Sequence, residues 1–325
     1  MRNSTIDFAR FVAAFFVVAL HVGYYNDMLV GFGEMARISG RWAVPFFFMV
    51  TGYFIGIQGK EDKCHLQAFR VTKIFLISSL MYLPYCLVKD PNYLESRSII
   101  DYIRSGTYFH LWFLSSLAVG LVSFQFLHKI YPKSLVAVSI GLIMAFVITD
   151  IAAYLENENV FTKLHGTVRH TISLAFIIIG YKISRLNFEN LFLNKKFMFA
   201  ILILFLAYFL EPIITQLSVD SHAIRRQFPV FTPMVTIAIM ILCLKGNMNK
   251  SIFSEAGKNY SLGIYLVHPL FIPVSREIFT YFSFLPKTIQ VLLTTFLLSW
   301  FLVSILMRKF TFLYRLLYGE FKLRQ

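Results

Sequence analysis

Long apolar segments recur along the whole chain, and this pattern constrains the fold more than any other feature of the sequence. A helix that crosses a bilayer needs about 20 mostly apolar residues. Segments of that length follow one another throughout the chain, separated only by short polar stretches. Only 15% of the 325 residues are charged, whereas a soluble globular chain carries about a quarter. The sequence therefore predicts an all-α, polytopic membrane protein.

The hydropathy pattern predicts about ten transmembrane helices in a single integral-membrane domain, residues 1–325. The expected spans are 5–25, 41–57, 70–88, 109–128, 134–151, 168–185, 197–214, 229–245, 259–278 and 287–307. Lys and Arg are more numerous on the side of the membrane that holds both termini, so both termini are expected in the cytoplasm. Residues 308–325 mix aromatic, apolar and basic side chains and predict a basic interfacial tail. A solvated tail fits this composition nearly as well.

The net charge of +14 does not indicate a nucleic-acid-binding protein, because the basic residues flank the apolar spans instead of gathering on one solvated face. The three cysteines lack C-x-x-C spacing and are too few for a disulfide framework. A zinc site formed by His21, His110 and His268 is conceivable, but no H-x-x-x-H or H-E-x-x-H spacing supports it. No metal is therefore expected.

The segment RFVAAFFVVALH places ten apolar residues between Arg10 and His21. Eleven helical steps give about 1100° of rotation, about 20° beyond three full turns, and about 16 Å of rise. Arg10 and His21 therefore share one face of the first helix, and Asp7 is spaced to pair with Arg10. Singly, Arg10 could snorkel to the interface and His21 could hydrogen-bond a neighbouring helix. Because ionisable residues within spans mark functional sites by default, their common face predicts the wall of an internal passage.

Cations also stand at the ends of two other spans. Arg41 opens the second span, in GRWAVPFFFMVTGYFIG, and Arg70 and Lys73 lie one turn apart in FRVTK. The expected place of Arg70 and Lys73 is the cytoplasmic end of the third span. Paired cations hold a phosphate through charge-assisted hydrogen bonds, although the excess of basic residues on that side explains the pair without a ligand.

Two further segments contain histidines among aromatic residues. YFHLWFLSS places His110 and Trp112 at the outer end of the fourth span, where interfacial aromatic residues are expected. In YSLGIYLVHPLFI, Ser261, Tyr265 and His268 recur at intervals of four and three residues and so share one helix face. This polar stripe in an apolar helix predicts a cavity wall.

Taken in order, these segments resemble the membrane-bound acyltransferase 3 family of bacterial O-acyltransferases. The resemblance rests on IDFARFVAAFFVVALH, RWAVPFFFMVTGYFIG, FRVTK, HLWFL, FIIIGYKIS and SLGIYLVHPLFI, which are spread over most of the chain. It implies a ten-helix enzyme of the bacterial inner membrane that takes an acetyl group from cytoplasmic acetyl-CoA. The acceptor would be a hydroxyl of a cell-envelope sugar, such as an exopolysaccharide, O-antigen, capsule or enterobacterial common antigen.

The resemblance also implies roles for individual residues. His21 would be the catalytic histidine, and Arg10 would hold the donor or the partners of that histidine. Arg70 and Lys73 match a motif linked to coenzyme A in which two arginines are usual, and lysine lacks the planar fork of arginine. The candidates for substrate contact or cavity lining are Asp7, Arg41, His110, Trp112, Ser261, Tyr265 and His268.

Other function classes remain as alternatives. Intramembrane Arg and His side chains also suit a transporter or exporter of a lipid-linked or envelope sugar. Transporters often consist of two similar halves, and no internal repeat is visible in this sequence. A membrane sensor without chemistry leaves the polar stripes unexplained. The sequence leaves open the acceptor sugar, acetyl or succinyl as the acyl group, a general base or a covalent relay as the role of histidine, and the oligomeric state.

Overall fold

The computed structural model describes residues 3–23, 25, 27–28, 32–155, 159–186, 195–218, 227–279 and 285–320. All regular elements within these ranges are helices, and no strand occurs among them. The predicted all-α fold class is therefore confirmed.

The described residues form fourteen α-helices and three short 3₁₀ helices. The α-helices are α1 Ser4–Val22, α2 Phe32–Ile38, α3 Ala43–Gln58, α4 Cys64–Lys89, α5 Ile99–Ser105, α6 Trp112–Ile130, α7 Leu135–Leu155, α8 Asn159–Val168, α9 Ile172–Ser184, α10 Lys195–Ser218, α11 Thr232–Lys245, α12 Ile252–Ile278, α13 Lys287–Lys309 and α14 Thr311–Leu317. The 3₁₀ helices are Glu61–Lys63, Phe109–Leu111 and Arg169–Thr171.

Seven helical stretches in the described part of the chain are long and apolar enough to cross a membrane. They are Ser4–Val22, Met35–Gln58, Glu61–Lys89, Phe109–Ile130, Leu135–Ala153, Lys195–Ile214 and Lys287–Lys309. The other three expected spans also coincide with helices, but α9 and α11 have only 13 and 14 residues, and α12 carries charged residues toward both ends. The chain is thus a multi-pass membrane protein. The count of ten spans and the cytoplasmic location of both termini stay predictions.

Helix α1 belongs to one compact unit, which comprises Met1–Val50, Val147–Thr162 and Leu186–Ser304. It packs along α12 and also contacts α11 and α2. The backbones of α1 and α12 approach closely at Gly257, where an added Cβ would lie 1.8 Å from the carbonyl oxygen of Asp7. Only glycine fits at this point, so the stripes of polar residues on the two helices are brought within side-chain reach.

The first turn of α1 is tied to the end of α11. The Asn3 side chain accepts hydrogen bonds from the N–H groups of Thr5 and Ile6, at 2.8 and 3.2 Å, which caps the helix. Its amide donates to the carbonyl of Cys243 at 3.1 Å, and the Thr5 hydroxyl donates to the carbonyl of Gly246 at 3.0 Å. These bonds fix the position of α1 along its own axis.

A second compact unit comprises Thr51–Phe146, Lys163–Arg185 and Ile305–Gln325. Within it α4 packs against α6, and α6 packs against α9. Gly52 allows the end of α3 to approach α9, because an added Cβ would lie 2.0 Å from the carbonyl oxygen of Ile177.

The described part of the expected tail forms α14, which packs against α4. Phe310 and Phe312 are 53% and 74% exposed, so apolar side chains remain on the surface of this segment. Its placement along the inner membrane surface stays a prediction, and residues 321–325 lie outside the described residues.

Candidate active site

Helix α1 presents Asp7, Arg10 and His21 toward α12, as their spacing indicates. Arg10 Nη1 lies 3.1 Å from Asp7 Oδ1, and Arg10 Nη2 donates to the Ser261 hydroxyl at 3.3 Å. Asp7 and Ser261 are buried, with 4% and 1% of their surfaces exposed. An ion pair removed from water keeps its geometry because separating the partners leaves an uncompensated charge. The N-terminal part of α1 thus forms a fixed polar contact with α12.

His21 meets His268 at the other end of the same interface. The Nε2 atom of His268 lies 3.3 Å from Nδ1 of His21, and the ring centroids are 5.0 Å apart. His268 is completely buried, and its Nδ1 lies 2.8 Å from the carbonyl oxygen of Tyr265. Nδ1 of His21 lies 2.7 Å from the carbonyl oxygen of Val17. The polar stripe predicted on α12 therefore faces the stripe on α1.

These contacts assign the tautomers of both rings. A backbone carbonyl only accepts hydrogen bonds, so Nδ1 of each neutral ring carries the proton. His268 donates from Nδ1 to Tyr265, which leaves its Nε2 to accept from the Nδ1–H of His21. The His21 proton is shared with the carbonyl of Val17. In this state the lone pair of His21 is on Nε2, the nitrogen that can take a proton from another molecule.

Two arginines add positive charge around His21. The charges of Arg41 and Arg37 both act on the His21 ring. The charge of Arg41 also acts on Tyr208, which is fixed by the hydrogen bond that its hydroxyl donates to the carbonyl of Ile38 at 2.8 Å. The sequence pointed to Arg41 alone, although the four-residue spacing between Arg37 and Arg41 was an available signal. The charge of an arginine beside a histidine can stabilise negative charge that develops there.

Arg70 and Lys73 have different partners in the structure. Arg70 Nη2 lies 2.7 Å from Oε1 of Glu320, and its Nε donates to the carbonyl of Tyr318 at 3.0 Å. The Lys73 ammonium lies 4.4 Å from the centroid of the Phe69 ring. A carboxylate of the chain itself thus pairs with the cation that was expected to hold a phosphate.

His110 and Trp112 lie in the second compact unit among aromatic and cationic neighbours. His110 is 1% exposed, and the Tyr82 ring packs edge-on against it with centroids 5.0 Å apart. The guanidinium carbon of Arg169 lies 4.5 Å from the centroid of the Trp112 ring. Such a cation–π contact is attractive because the face of the indole ring is electron-rich. The structure brings Asp7, Arg10, Arg41, Ser261, Tyr265 and His268 into the unit that contains His21.

Comparison with known proteins identifies one family over almost the whole chain. The model of the acyltransferase 3 family, described as an acyltransferase domain, matches residues 3–304. No solved structure matches the chain.

Curated relatives of the chain carry racemase names. An amino-acid racemase of Enterococcus faecalis is 24% identical over 332 residues, covering 94% of this chain and 46% of the relative. A second amino-acid racemase of that organism is 29% identical over 201 residues, covering 55% and 28%. A serine/alanine racemase of Enterococcus gallinarum is 23% identical over 295 residues, covering 83% and 41%. The chain therefore spans less than half the length of these relatives.

The family match includes both polar stripes of the α1–α12 interface, since they lie well within residues 3–304. It thus agrees with the resemblance carried by the ordered sequence segments. The chain belongs to the acyltransferase 3 family.

Proposed function

We propose that the protein is an acyl-CoA-dependent O-acyltransferase of the bacterial inner membrane. It moves an acetyl group from cytoplasmic acetyl-CoA to a hydroxyl of a cell-envelope sugar. The observation that carries this proposal is the contact between His21 and His268. This contact orients the neutral ring of His21, and the chain that contains it belongs to an acyltransferase family.

The chemistry of this transfer requires a base for the hydroxyl proton. Nε2 of His21 takes that proton while the hydroxyl oxygen bonds to the carbonyl carbon of the thioester. The C–S bond of the thioester then breaks, and the proton passes from His21 to the departing thiolate of coenzyme A. His268 touches neither reactant in this scheme: it is a positioning residue, because it holds the His21 tautomer through the 3.3 Å contact.

Arginine side chains near His21 and at the other end of the α1–α12 interface fit the same scheme. Arg37 and Arg41 act on His21 and would stabilise the oxyanion of the tetrahedral intermediate. Arg10, held by Asp7 and Ser261, would face the donor from the other end of the α1–α12 interface.

The phosphates of coenzyme A need cations at the donor entrance, and the family resemblance assigns this role to Arg70 and Lys73. Donor binding would then replace the contact between Glu320 and Arg70, because phosphate and carboxylate compete for the same guanidinium donors.

The racemase names of the relatives are compatible with this proposal. Those names belong to proteins more than twice as long as the portion that aligns with this chain. The names describe the full-length relatives, and they identify no residue of this chain as part of a racemase site.

The proposal is tested by replacing His21 in a membrane preparation that receives acetyl-CoA and envelope glycans from cells lacking the gene. His21→Ala should reduce acetyl transfer about 100-fold or more because it removes the general base. The matched control is His65→Ala, since His65 is an exposed histidine of the second compact unit and contacts Gln125. Release of coenzyme A thiol and an acetyl-sized mass gain in the glycan are measured together.

Full acetylation by the His21→Ala protein, with normal amounts in the membrane, would contradict the catalytic role. Purified protein in liposomes separates the enzyme from the alternative exporter. Movement of a lipid-linked sugar without consumption of acetyl-CoA would favour the exporter. An acetyl group found on His21 after rapid quenching would instead convert the general base into a covalent carrier.

A further inference from the structure

An open cavity of about 370 Å³ lies beside the end of α1 that carries His21. Cavities that bind small molecules measure about 300–1,000 Å³, so this one has room for about one or two sugar rings. Its lining residues are Val22, Gly23, Tyr25, Asp27, Arg276, Lys287, Thr288 and Val291. The end of α1, the end of α12 and the start of α13 therefore form its walls.

Arg276 brings a positive charge to the His21 end of the cavity. Its Nη2 donates to the carbonyl of Val22 at 2.8 Å. Val22 is the last residue of α1 and directly follows His21, and the last carbonyls of a helix need partners from outside the helix. This bond holds the guanidinium at the level of the backbone next to His21.

Lys287 supplies a second positive charge from a different helix. It is the first residue of α13 and is exposed to the cavity opening. Arg276 from α12 and Lys287 from α13 thus line a cavity whose wall includes Val22, the residue that follows His21.

Asp27 supplies a negative charge, but that charge is engaged by α13. The N–H and the hydroxyl of Thr288 donate to the two oxygens of the Asp27 carboxylate, each at 2.6 Å. Burial raises the pKa of Asp27, but the two hydrogen bonds outweigh burial and hold the pKa below its ordinary value. Asp27 therefore stays ionised as a cap of α13, and the lining residues keep a net positive charge.

We propose that this cavity binds the acceptor, and that the acceptor carries an acidic group beside the hydroxyl that is acetylated. Arg276 and Lys287 hold this acidic group, a carboxylate or a phosphate, and direct the hydroxyl toward His21. This inference rests on the proposed acyltransferase function and adds the chemical class of the acceptor. Arginine suits the task because its planar fork matches the oxygens of carboxylate and phosphate alike.

Lys287 provides the most direct test, because Lys287 forms none of the hydrogen bonds described for this cavity. Acetyl transfer is measured in membranes with acetyl-CoA and the envelope glycan isolated from cells lacking the gene. Lys287→Gln should raise KM for the glycan roughly 3- to 10-fold with little change in kcat, the range expected for losing one partly exposed charge contact. Lys287→Glu should raise KM for the glycan further, because the new carboxylate repels the acidic group of the acceptor.

One control and one further variant of the cavity accompany these changes. Lys133→Gln removes an exposed lysine outside the cavity and should leave KM unchanged. Arg276→Lys keeps the charge at the end of α12 but loses the planar fork, so its KM should lie between those of the native protein and Lys287→Glu. Raising the salt concentration should weaken glycan binding to the native protein more than to Lys287→Gln.

Tandem mass spectrometry of the acetylated glycan then identifies the acceptor. An acetyl group on a uronic acid supports the carboxylate form, and one on a phosphate-bearing or pyrophosphate-linked sugar supports the phosphate form. Acetylation of a repeat without any acidic group, or equal KM values for Lys287→Gln and Lys133→Gln, would overturn this inference and leave the acyltransferase proposal standing. The absence of any transfer by the native protein would overturn both.

Discussion

The contact of Arg10 with Asp7 and the contact of Arg70 with Glu320 join the same kinds of ions but differ in their surroundings. The side chains of Arg10 and Asp7 are 20% and 5% exposed, whereas those of Arg70 and Glu320 are 48% and 50% exposed. Water screens the second pair and provides an alternative partner for both of its members. The first pair is therefore part of the framework of the α1–α12 interface, and the second is a contact that an anionic ligand can replace.

The largest effect is expected from breaking the buried pair. Arg10→Ala leaves the buried Asp7 carboxylate without its ion-pair partner and should lower the free energy of unfolding by about 3 kcal/mol. Unfolding in detergent is followed by circular dichroism, and Arg70→Ala serves as the exposed counterpart, with a loss below about 1 kcal/mol.

A second change, at Asp7, separates the cost of the unpaired buried charge from the loss of the contact itself. Asp7→Asn combined with Arg10→Ala removes the uncompensated charge and should restore part of the lost stability. Equal losses in the free energy of unfolding for Arg10→Ala and Arg70→Ala would show that burial does not distinguish the two pairs.

A smaller effect is expected at the other end of the same interface. His268→Phe removes the acceptor for the Nδ1–H of His21 and should lower kcat roughly 10-fold, less than removal of the base itself. KM for acetyl-CoA should not change, and the pH profile of kcat should shift because the His21 ring loses its orienting contact.

His268→Gln is the matched variant, because its side-chain oxygen can accept the same hydrogen bond. Recovery of kcat and of the pH profile by His268→Gln would support a positioning role. If His268→Phe and His268→Gln lower kcat equally and leave the pH profile unaltered, His268 only fills space.

The smallest effect is expected from replacing Glu320, the acidic member of the exposed pair. Glu320→Gln should alter the free energy of unfolding by less than about 1 kcal/mol. If Arg70 binds a phosphate of the donor, the same change should lower KM for acetyl-CoA about 2- to 5-fold, since the competing carboxylate is gone. Glu95→Gln, another exposed acidic residue of the second unit, is the control. A KM that does not respond to Glu320→Gln would separate Arg70 from donor binding.

The two regions also differ in how far they could be predicted from the sequence. The shared face of Asp7, Arg10 and His21 follows from helical geometry alone, and so does the stripe of Ser261 and His268. That these two stripes face each other depends on packing between segments about 250 residues apart, which helical periodicity does not encode.

Other contacts could not be predicted from the sequence for a similar reason. Arg70 was identified as a cation at the end of a span, but its partner Glu320 lies 250 residues away, in a tail whose composition predicted only an interfacial location. The helical character of all ten expected spans is confirmed. In the span expected at 168–185 the 3₁₀ helix Arg169–Thr171 precedes the 13-residue α9. In the span expected at 229–245, α11 begins only at Thr232, after the apolar residues 229–231.

The pairing of the first helix with one of the last has a consequence for synthesis of the protein. His21 is synthesised 247 residues before His268 exists to meet it. At about 5–20 residues per second, this delay lasts about 12–50 s. The ion pair of Asp7 and Arg10 forms within α1 itself, three residues apart, so it needs no other helix. The nascent segment can therefore neutralise its two formal charges in lipid during the delay, whereas His21 and the second contact of Arg10, with Ser261, have to wait for α12.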